Sequence, residues 1–400
     1  MVEVDAIIAP RKFIFLAYLF QPFRSIPIKL SAPNKLKPQQ FDYLKVNADD
    51  TALITFTTGS TGLPKAANRT HQFLWEQFRI LKAEIGATPS DKCVSTLPIV
   101  LLSILGTGAT AVIAEFNQKK PHLLDSNKML TFLKKEAVQL LIASPFFIEQ
   151  LAKNKQIKLP SLRKIMTGGA PVFPHIAKLI NNAFPDSENI IAYGSTEAEP
   201  ISTINMQLLT DQFFSMENGL AVGKPHPEIQ LKIIKITDQS IALDKYGWKK
   251  WEVNAGEIGE IVVTGPHVLS SYHNSDEAFR LNKINDEGTI WHRTGDSGRI
   301  VDNVIYLLGR CSSLIVEKDK VISQFIIEQQ LGQIEGVNIG TMISINGEKH
   351  IFIELEQHGI ESEIRKQIVE YAIDFDEVKF IDKMPRDPRH FSKIEYQKLR

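Results

Sequence analysis

The stretch Thr57-Thr58-Gly59-Ser60-Thr61-Gly62-Leu63-Pro64-Lys65 carries the residue types best suited to a chemical task in this 400-residue sequence. Gly59 and Gly62 free the backbone to curl, so that successive N–H groups, the hydroxyls and Lys65 can converge on phosphate oxygens. The spacing is not that of the Walker loop, because Pro64 stands where that loop has a glycine before its lysine. Gly, Ser, Thr and Pro are also what a polar surface turn uses, and the loop alone leaves both readings open.

Five further stretches follow in order: Gly168-Gly169-Ala170-Pro171, Ala192-Tyr193-Gly194-Ser195-Thr196-Glu197, Trp291-His292-Arg293-Thr294-Gly295-Asp296, Gly309-Arg310 and Ser392-Lys393-Ile394-Glu395. Together with the loop they resemble the signature of the adenylate-forming superfamily, which includes acyl-CoA synthetases, luciferases and peptide-synthetase adenylation domains. The resemblance implies that Thr57, Thr58, Gly59, Ser60, Thr61, Gly62 and Lys65 line phosphates. It implies that Gly169, Ala170 and Pro171 lie on the adenine side, that Tyr193, Gly194, Ser195 and Thr196 form the aromatic and acidic motif with Glu197, and that Asp296 and Arg310 hold the ribose. Lys393 is then the lysine that reaches the reacting carboxylate and the α-phosphate. ATP and Mg²⁺ are the implied cofactors, and a small carboxylic acid is the implied substrate.

These residue types suit that reaction. A carboxylate and ATP are both negative, so cations and oriented N–H dipoles must neutralise charge as pyrophosphate leaves. Lys393 is a charge partner, Glu197 a hard oxygen ligand for Mg²⁺, and Thr196 a hydroxyl donor. Asp296 can accept from two ribose hydroxyls, and the ring of Tyr193 can stack on adenine. Each residue singly has a plainer reading as a solvated lysine, a capping carboxylate or a core tyrosine; their order along one chain favours the chemistry.

The tail Met384-Pro385-Arg386-Asp387-Pro388-Arg389-His390-Phe391-Ser392-Lys393 has Arg-His-x-x-Lys where many relatives have Ser/Thr-Gly-Lys. This is most similar to the olefin-pathway β-lactone synthetases. Thr196-Glu197-Ala198-Glu199-Pro200 and Trp291-His292-Arg293 resemble that branch, and Leu97-Pro98-Ile99-Val100 lacks the histidine common in acyl-CoA synthetases. After Arg310 the chain has Cys311-Ser312-Ser313 and no glycine from Leu314 to Val321, a departure from the thioester-forming pattern. A β-lactone synthetase would adenylate a β-hydroxy acid and close it through its own tethered hydroxyl without CoA. A CoA thioester product, and a nucleotide- or acyl-binding module without turnover, remain alternatives. The loop normally lies deep inside such proteins, so the resemblance implies that an N-terminal layer is missing or supplied by a partner. Val4 to Phe20 resembles its last unit.

The elements that must position these residues follow from hydrophobic periodicity. Residues 51–57 read as a strand, the loop follows, and His71 to Ala83 carries helical spacing. Val138–Ala143 and Leu162–Thr167 read as buried strands, with helices from Pro145 and over Pro174–Ala183, so parallel βαβ units are expected. From about 220 the pattern changes to short strands at Gln230–Ile236, Glu260–Thr264 and Val304–Leu308. The expected fold is α/β, with a large domain at 1–310 containing a β-rich subdomain at about 220–310, and a small α+β lid at 311–400. Forty-six basic residues balance forty-six acidic ones, which gives nucleic acid no electrostatic advantage as a partner. Cys93 and Cys311 fit neither a disulfide framework nor a zinc site, in keeping with a reducing cytoplasm. The uncharged run from Cys93 to Ala114 is broken by Pro98, Gly106 and Gly108 and reads as a strand and a buried helix, not a membrane span.

Overall fold

Five parallel strands, joined largely through apolar helix-forming sequence, form one half of the central sheet in the computed structural model. The structure describes residues 4–32, 44–58, 64–117, 120–154, 157–209, 218–317, 320–387 and 391–400, and says nothing of the side chains of residues 57, 58, 64 and 320. Chain contacts divide it into two compact units, Met1–Gln72 with Ser271–Asp276, and Phe73–Ser270 with Glu277–Arg400.

In the larger unit, Thr110–Ala111, Lys92–Ser95, Leu140–Ala143, Lys164–Gly168 and Glu188–Ser195 pair in parallel in that order. Leu140–Ala143 is buried along its whole length, as expected of a strand covered on both faces. The helices Ser126–Lys135, Pro145–Ala152 and Pro174–Ala183 put Leu130, Leu133, Ile148, Leu151, Ala177 and Ile180 into a core against one face. The helix Pro98–Gly106 supplies Val100 and Ile104 to a second core with Cys93, Leu140 and Ile142. The uncharged run Cys93 to Ala114 is therefore a strand, a helix and the short strand Thr110–Ala111, but the helix corrects the expected buried one, because it buries Val100 and Ile104 and leaves Leu102 and Leu105 exposed. No helix among the described residues is long and apolar enough to cross a membrane.

The sheet then turns antiparallel through Ala198–Asn205, Leu220–Pro225, Val304–Arg310, Thr289–Val301, Gly259–Thr264 and Gln230–Ile234. This is the expected β-rich region, joined to the parallel half by continuous pairing across Glu188–Ser195 and Ala198–Asn205. A 3-10 turn at Cys311–Ser313 leads out of it. Beyond it, Val337–Ile345, Glu348–Leu355 and Glu377–Phe380 form a separate three-stranded sheet. The helices Gln324–Leu331 and Glu361–Glu370 cover it, with Ile327, Leu331, Met342, Ile351, Ile364 and Ile368 in a core of their own.

In the smaller unit, Ala6–Ala9 and Ile28–Ser31 pair in parallel around the helices Arg11–Ala17 and Gln21–Arg24. Thr51–Thr58 pairs antiparallel with Pro64–Thr70, and Ala67 bridges to Tyr272. The strand Pro64–Thr70 corrects the expected strand, loop and helix order, because a second strand stands between loop and helix. Its Lys-Ala-Ala-Asn-Arg composition has little β propensity, and pairing with Thr51–Thr58 overrides it.

Candidate active site

In open α/β sheets the carboxyl ends of parallel strands form the natural binding edge, because successive loops fan apart there. Gly168-Gly169-Ala170-Pro171 leaves the strand Lys164–Gly168 at that edge. Gly169 has a φ of +82°, and a Cβ there would meet no atom within 4 Å, so the loop turns in the left-handed region beside open space. On the neighbouring strand, Tyr193, Gly194 and Ser195 occupy the last positions of Glu188–Ser195. Thr196 and Glu197 form the tight turn into Ala198–Asn205. The turn is fixed by the Glu197 N–H, which donates to Ser195 Oγ at 3.2 Å, and by the Glu197 carbonyl, which accepts from Leu269 N at 2.7 Å.

Asp296 and Arg310 come from adjacent antiparallel strands and are register partners. The Tyr193 hydroxyl donates to Asp296 Oδ2 at 3.0 Å, and Arg310 Nη1 donates to Asp296 Oδ1 at 2.7 Å. Two donors, 103 and 14 positions away in sequence, thus meet at the Asp296 carboxylate. Burial, and then the Asp296 charge, push the Tyr193 phenol well above its usual range, so it acts as a neutral donor. The Asp296 carboxylate holds the Arg310 guanidinium above its ordinary value. A carboxylate accepts at about four lone-pair positions, so these two donors leave capacity for ribose hydroxyls. The Tyr193 ring is 9% exposed and packs with Ala198, Leu220 and Leu307, which makes its hydroxyl its most evident polar contribution.

A support for this carboxylate escapes the sequence reading. Arg293 and Glu260 form a buried ion pair through Nη2 and Oε2 at 2.6 Å, and Glu260 Oε1 also accepts from Gly295 N at 3.2 Å. Thr294 Oγ1 donates to Ile261 O at 2.8 Å and accepts from Asp296 N at 3.0 Å. The arrangement fixes the backbone on either side of Gly295 and thereby aims Asp296. The strand Glu260–Thr264 is legible from its apolar residues; an inward-facing glutamate paired 33 positions away is not.

The tail residue Lys393 is exposed. Its neighbour Ser392 accepts from Phe146 N at 3.2 Å, at the start of the helix that follows Leu140–Ala143. That strand pairs with Lys164–Gly168, which pairs with Glu188–Ser195, so the tail docks at the edge that carries Gly169 and Tyr193. Thr57 and Thr58 lie at the end of the strand Thr51–Thr58, and Lys65 is in register with Thr57. Gly59, Ser60, Thr61 and Gly62 lie outside the described residues.

Glu197 is 8% exposed, and the described residues contain no group of three or more His, Cys, Asp and Glu side chains fit to hold a metal. A single carboxylate matches Mg²⁺, which takes one or two carboxylates together with phosphate oxygens and water, and it does not match a metal that needs an all-protein cage.

A profile of the AMP-binding enzyme family matches residues 19–273. An olefin β-lactone synthetase of Xanthomonas campestris pv. campestris is 33% identical over 260 residues, covering 63% of this chain and 46% of that protein. 4-Coumarate–CoA ligase 1 of Narcissus pseudonarcissus is 24% identical over 369 residues, covering 86% of this chain and 64% of that protein. Among solved structures, O-succinylbenzoate coenzyme A synthetase from Bacillus subtilis in complex with ATP and magnesium ion superposes with a TM-score of 0.74. It is 21% identical, with 99% of this chain and 79% of that chain covered, and it shares the adenylate-forming fold. The chain spans about half the length of the β-lactone synthetase it matches.

Proposed function

The chain belongs to the AMP-binding enzyme family, and we propose that it is an ATP-dependent ligase that activates a fatty or β-hydroxy fatty acid as its acyl-adenylate. A carboxylate oxygen attacks the α-phosphorus, the bond from that phosphorus to the bridging oxygen breaks, and pyrophosphate leaves. The observation that carries the reading is the convergence of Tyr193 and Arg310 on Asp296 beside an open, glycine-lined sheet edge.

In this reading Asp296 accepts from the ribose hydroxyls while Tyr193 and Arg310 hold its orientation. Gly169, Ala170 and Pro171 flank the base, with Gly194 and Ser195 on the neighbouring strand. Thr196 offers a hydroxyl to phosphate. Glu197 would hold Mg²⁺, which supplies charge neutralisation on the phosphate oxygens. Lys393 faces the carboxylate and α-phosphate, where negative charge concentrates in the transition state. The phosphate role of Thr57 to Lys65 rests on the sequence motif.

For the second half-reaction we propose closure to a β-lactone. The β-hydroxyl oxygen of the substrate attacks the acyl carbonyl carbon, its proton is lost, and AMP leaves. The 33% identity to an olefin β-lactone synthetase and the Arg-His-x-x-Lys tail support this. Transfer to CoA is the second reading, favoured by the CoA ligase relative that covers 86% of the chain. ATP–pyrophosphate exchange over simple and β-hydroxy fatty acids tests the first half. Absence of acid-dependent exchange would sink the ligase reading. Mass analysis of products with and without CoA separates lactone from thioester.

A further inference from the structure

We propose that Phe391 and Ser392 are positioning residues that latch the Lys393 turn onto the first turn of the helix Pro145–Ala152. The inference rests on the reading of Lys393 as the adenylating lysine and adds how the chain holds it.

Contacts from several parts of the chain meet at this turn. The Ser392 hydroxyl accepts from Phe146 N at 3.2 Å, one of the first-turn donors that have no partner within the helix. Phe391 has a φ of +56°, a left-handed conformation that bulky side chains rarely adopt. Its ring lies edge-on to Phe146 with centroids 5.1 Å apart and 5.2 Å from the ring of His122. Lys383 and Arg386 stand over the same ring at 5.4 Å and 5.0 Å. Asp387 closes the turn, because one carboxylate oxygen accepts from both Ser392 N at 3.0 Å and Lys393 N at 2.8 Å. Asp387 N also donates to the Lys393 carbonyl at 2.9 Å.

The left-handed residue turns two successive N–H groups toward one carboxylate, which is the geometry of a backbone nest. The strained position is retained where its ring is sandwiched between the tail and the helix, so the strain and the docking contact are one feature. A lysine is a flexible four-carbon stem with a point charge. Fixing the peptide beneath it removes much of the search that would otherwise separate the ammonium group from the reacting atoms.

The test uses the full chain with ATP and a 3-hydroxy fatty acid. In ATP–pyrophosphate exchange, Ser392→Ala is expected to lower kcat about fivefold, the rate equivalent of one neutral hydrogen bond, with little change in the KM for ATP. Ser392→Thr keeps the hydroxyl and should restore the rate. Phe391→Gly relieves the left-handed strain but loses the ring; its kcat should fall further while its melting temperature holds. Lys393→Ala serves as the reference. If it abolishes exchange while Ser392→Ala and Phe391→Gly run at the wild-type rate, the latch is wrong and the lysine assignment stands. If Lys393→Ala exchanges normally, the lysine assignment fails and the latch loses its role. Amide hydrogen exchange reads the contact independently of turnover. Faster exchange at Phe146 and at residues 391–395 in Ser392→Ala supports the latch, and unchanged protection overturns it.

Discussion

Asp296 and Arg310 face each other in register on neighbouring antiparallel strands, and their ion pair closes at 2.7 Å on the carboxylate that also receives the Tyr193 hydroxyl. If this carboxylate holds the ribose, Asp296→Ala weakens ATP binding while leaving chemistry at the α-phosphate remote. Loss of charge-assisted hydrogen bonds at about 1.5 to 3 kcal/mol each predicts a Kd raised by roughly tenfold or more. Calorimetry with ATP checks this, and unchanged affinity counts against the ribose role.

Gly295 tests the same network through the backbone. Its φ is +69°, and a Cβ would fall 2.7 Å from Arg310 Nη2, so Gly295→Ala must both strain the chain and displace the guanidinium. A left-handed alanine alone costs about 1 to 2 kcal/mol. The variant is expected to melt a few degrees lower and to bind ATP more weakly. A variant with unaltered nucleotide affinity would show that Arg310 is not needed where it lies.

Lys393→Ala is expected to lower single-turnover adenylate formation far more than ATP affinity, because its charge is worth most when negative charge concentrates between carboxylate and α-phosphate. Rapid-quench measurement of adenylate separates the two quantities. Wild-type formation rates in the variant would remove the lysine from the chemistry.

A pH dependence is built into the helix Gln324–Leu331 that covers the C-terminal sheet. Glu328 is 7% exposed, its carboxyl accepts from Thr341 Oγ1 and the Tyr396 hydroxyl, both at 2.7 Å, and burial pushes it up to about 7. Its ordinary value is about 4.5. The folded state therefore binds a proton more readily than the unfolded chain. The favourable contribution is fully present below about 4.5 and is lost as pH rises through about 7. Glu328→Gln removes the titration and should stabilise the protein at pH 8 by up to about 3 kcal/mol, since each tenfold change in proton affinity is worth about 1.4 kcal/mol. Denaturant titrations at pH 5 and pH 8 check this. A wild-type stability that does not fall between them refutes the assignment.

The parts of this fold that are legible in the sequence share a local cause. Pro174–Ala183 is readable at both ends because Pro174 sits where a helix tolerates it and the apolar residues repeat at helical spacing. The uncharged run from Cys93 resolves into strand and helix because Pro98 marks the break between them. What stays hidden depends on partners distant in sequence. Pro64–Thr70 is a strand only because Thr51–Thr58 lies beside it. Glu260 supports Gly295 across 35 positions, and Ser392 reaches Phe146 across 246. No periodicity encodes such pairings. The motifs supply residue types in order, and the register of the antiparallel strands brings Asp296 to Arg310.

Residues 311–400 are expected to act as a lid. In this structure the segment after the Cys311–Ser313 turn is docked: Ser323 Oγ donates to Leu308 O at 2.6 Å, and Phe325 lies edge-on to Phe173 at 6.0 Å. The docking has a flaw. Gln324 is 2% exposed, and neither atom of its side-chain amide has a hydrogen-bond partner among the described residues. Its Oε1 lies 3.1 Å from where a Cβ of Gly309 would be, directly before Arg310. A buried, unpaired amide costs about 1 to 3 kcal/mol, and undocking would return it to water. A ligand shifts a docking equilibrium only by its differential affinity. Trypsin cleavage after Arg310 reads the equilibrium. ATP with Mg²⁺ and a slowly reacting acid should slow cleavage, and AMP alone, without the outer phosphates, should slow it less. Gln324→Leu replaces the orphan amide with an apolar side chain of similar size, so it should slow cleavage by about fivefold or more without any ligand, as expected from removing about 1 kcal/mol or more of penalty. If wild type and Gln324→Leu are cut equally fast in every ligand state, residues 311–400 are rigidly docked and do not act as a lid.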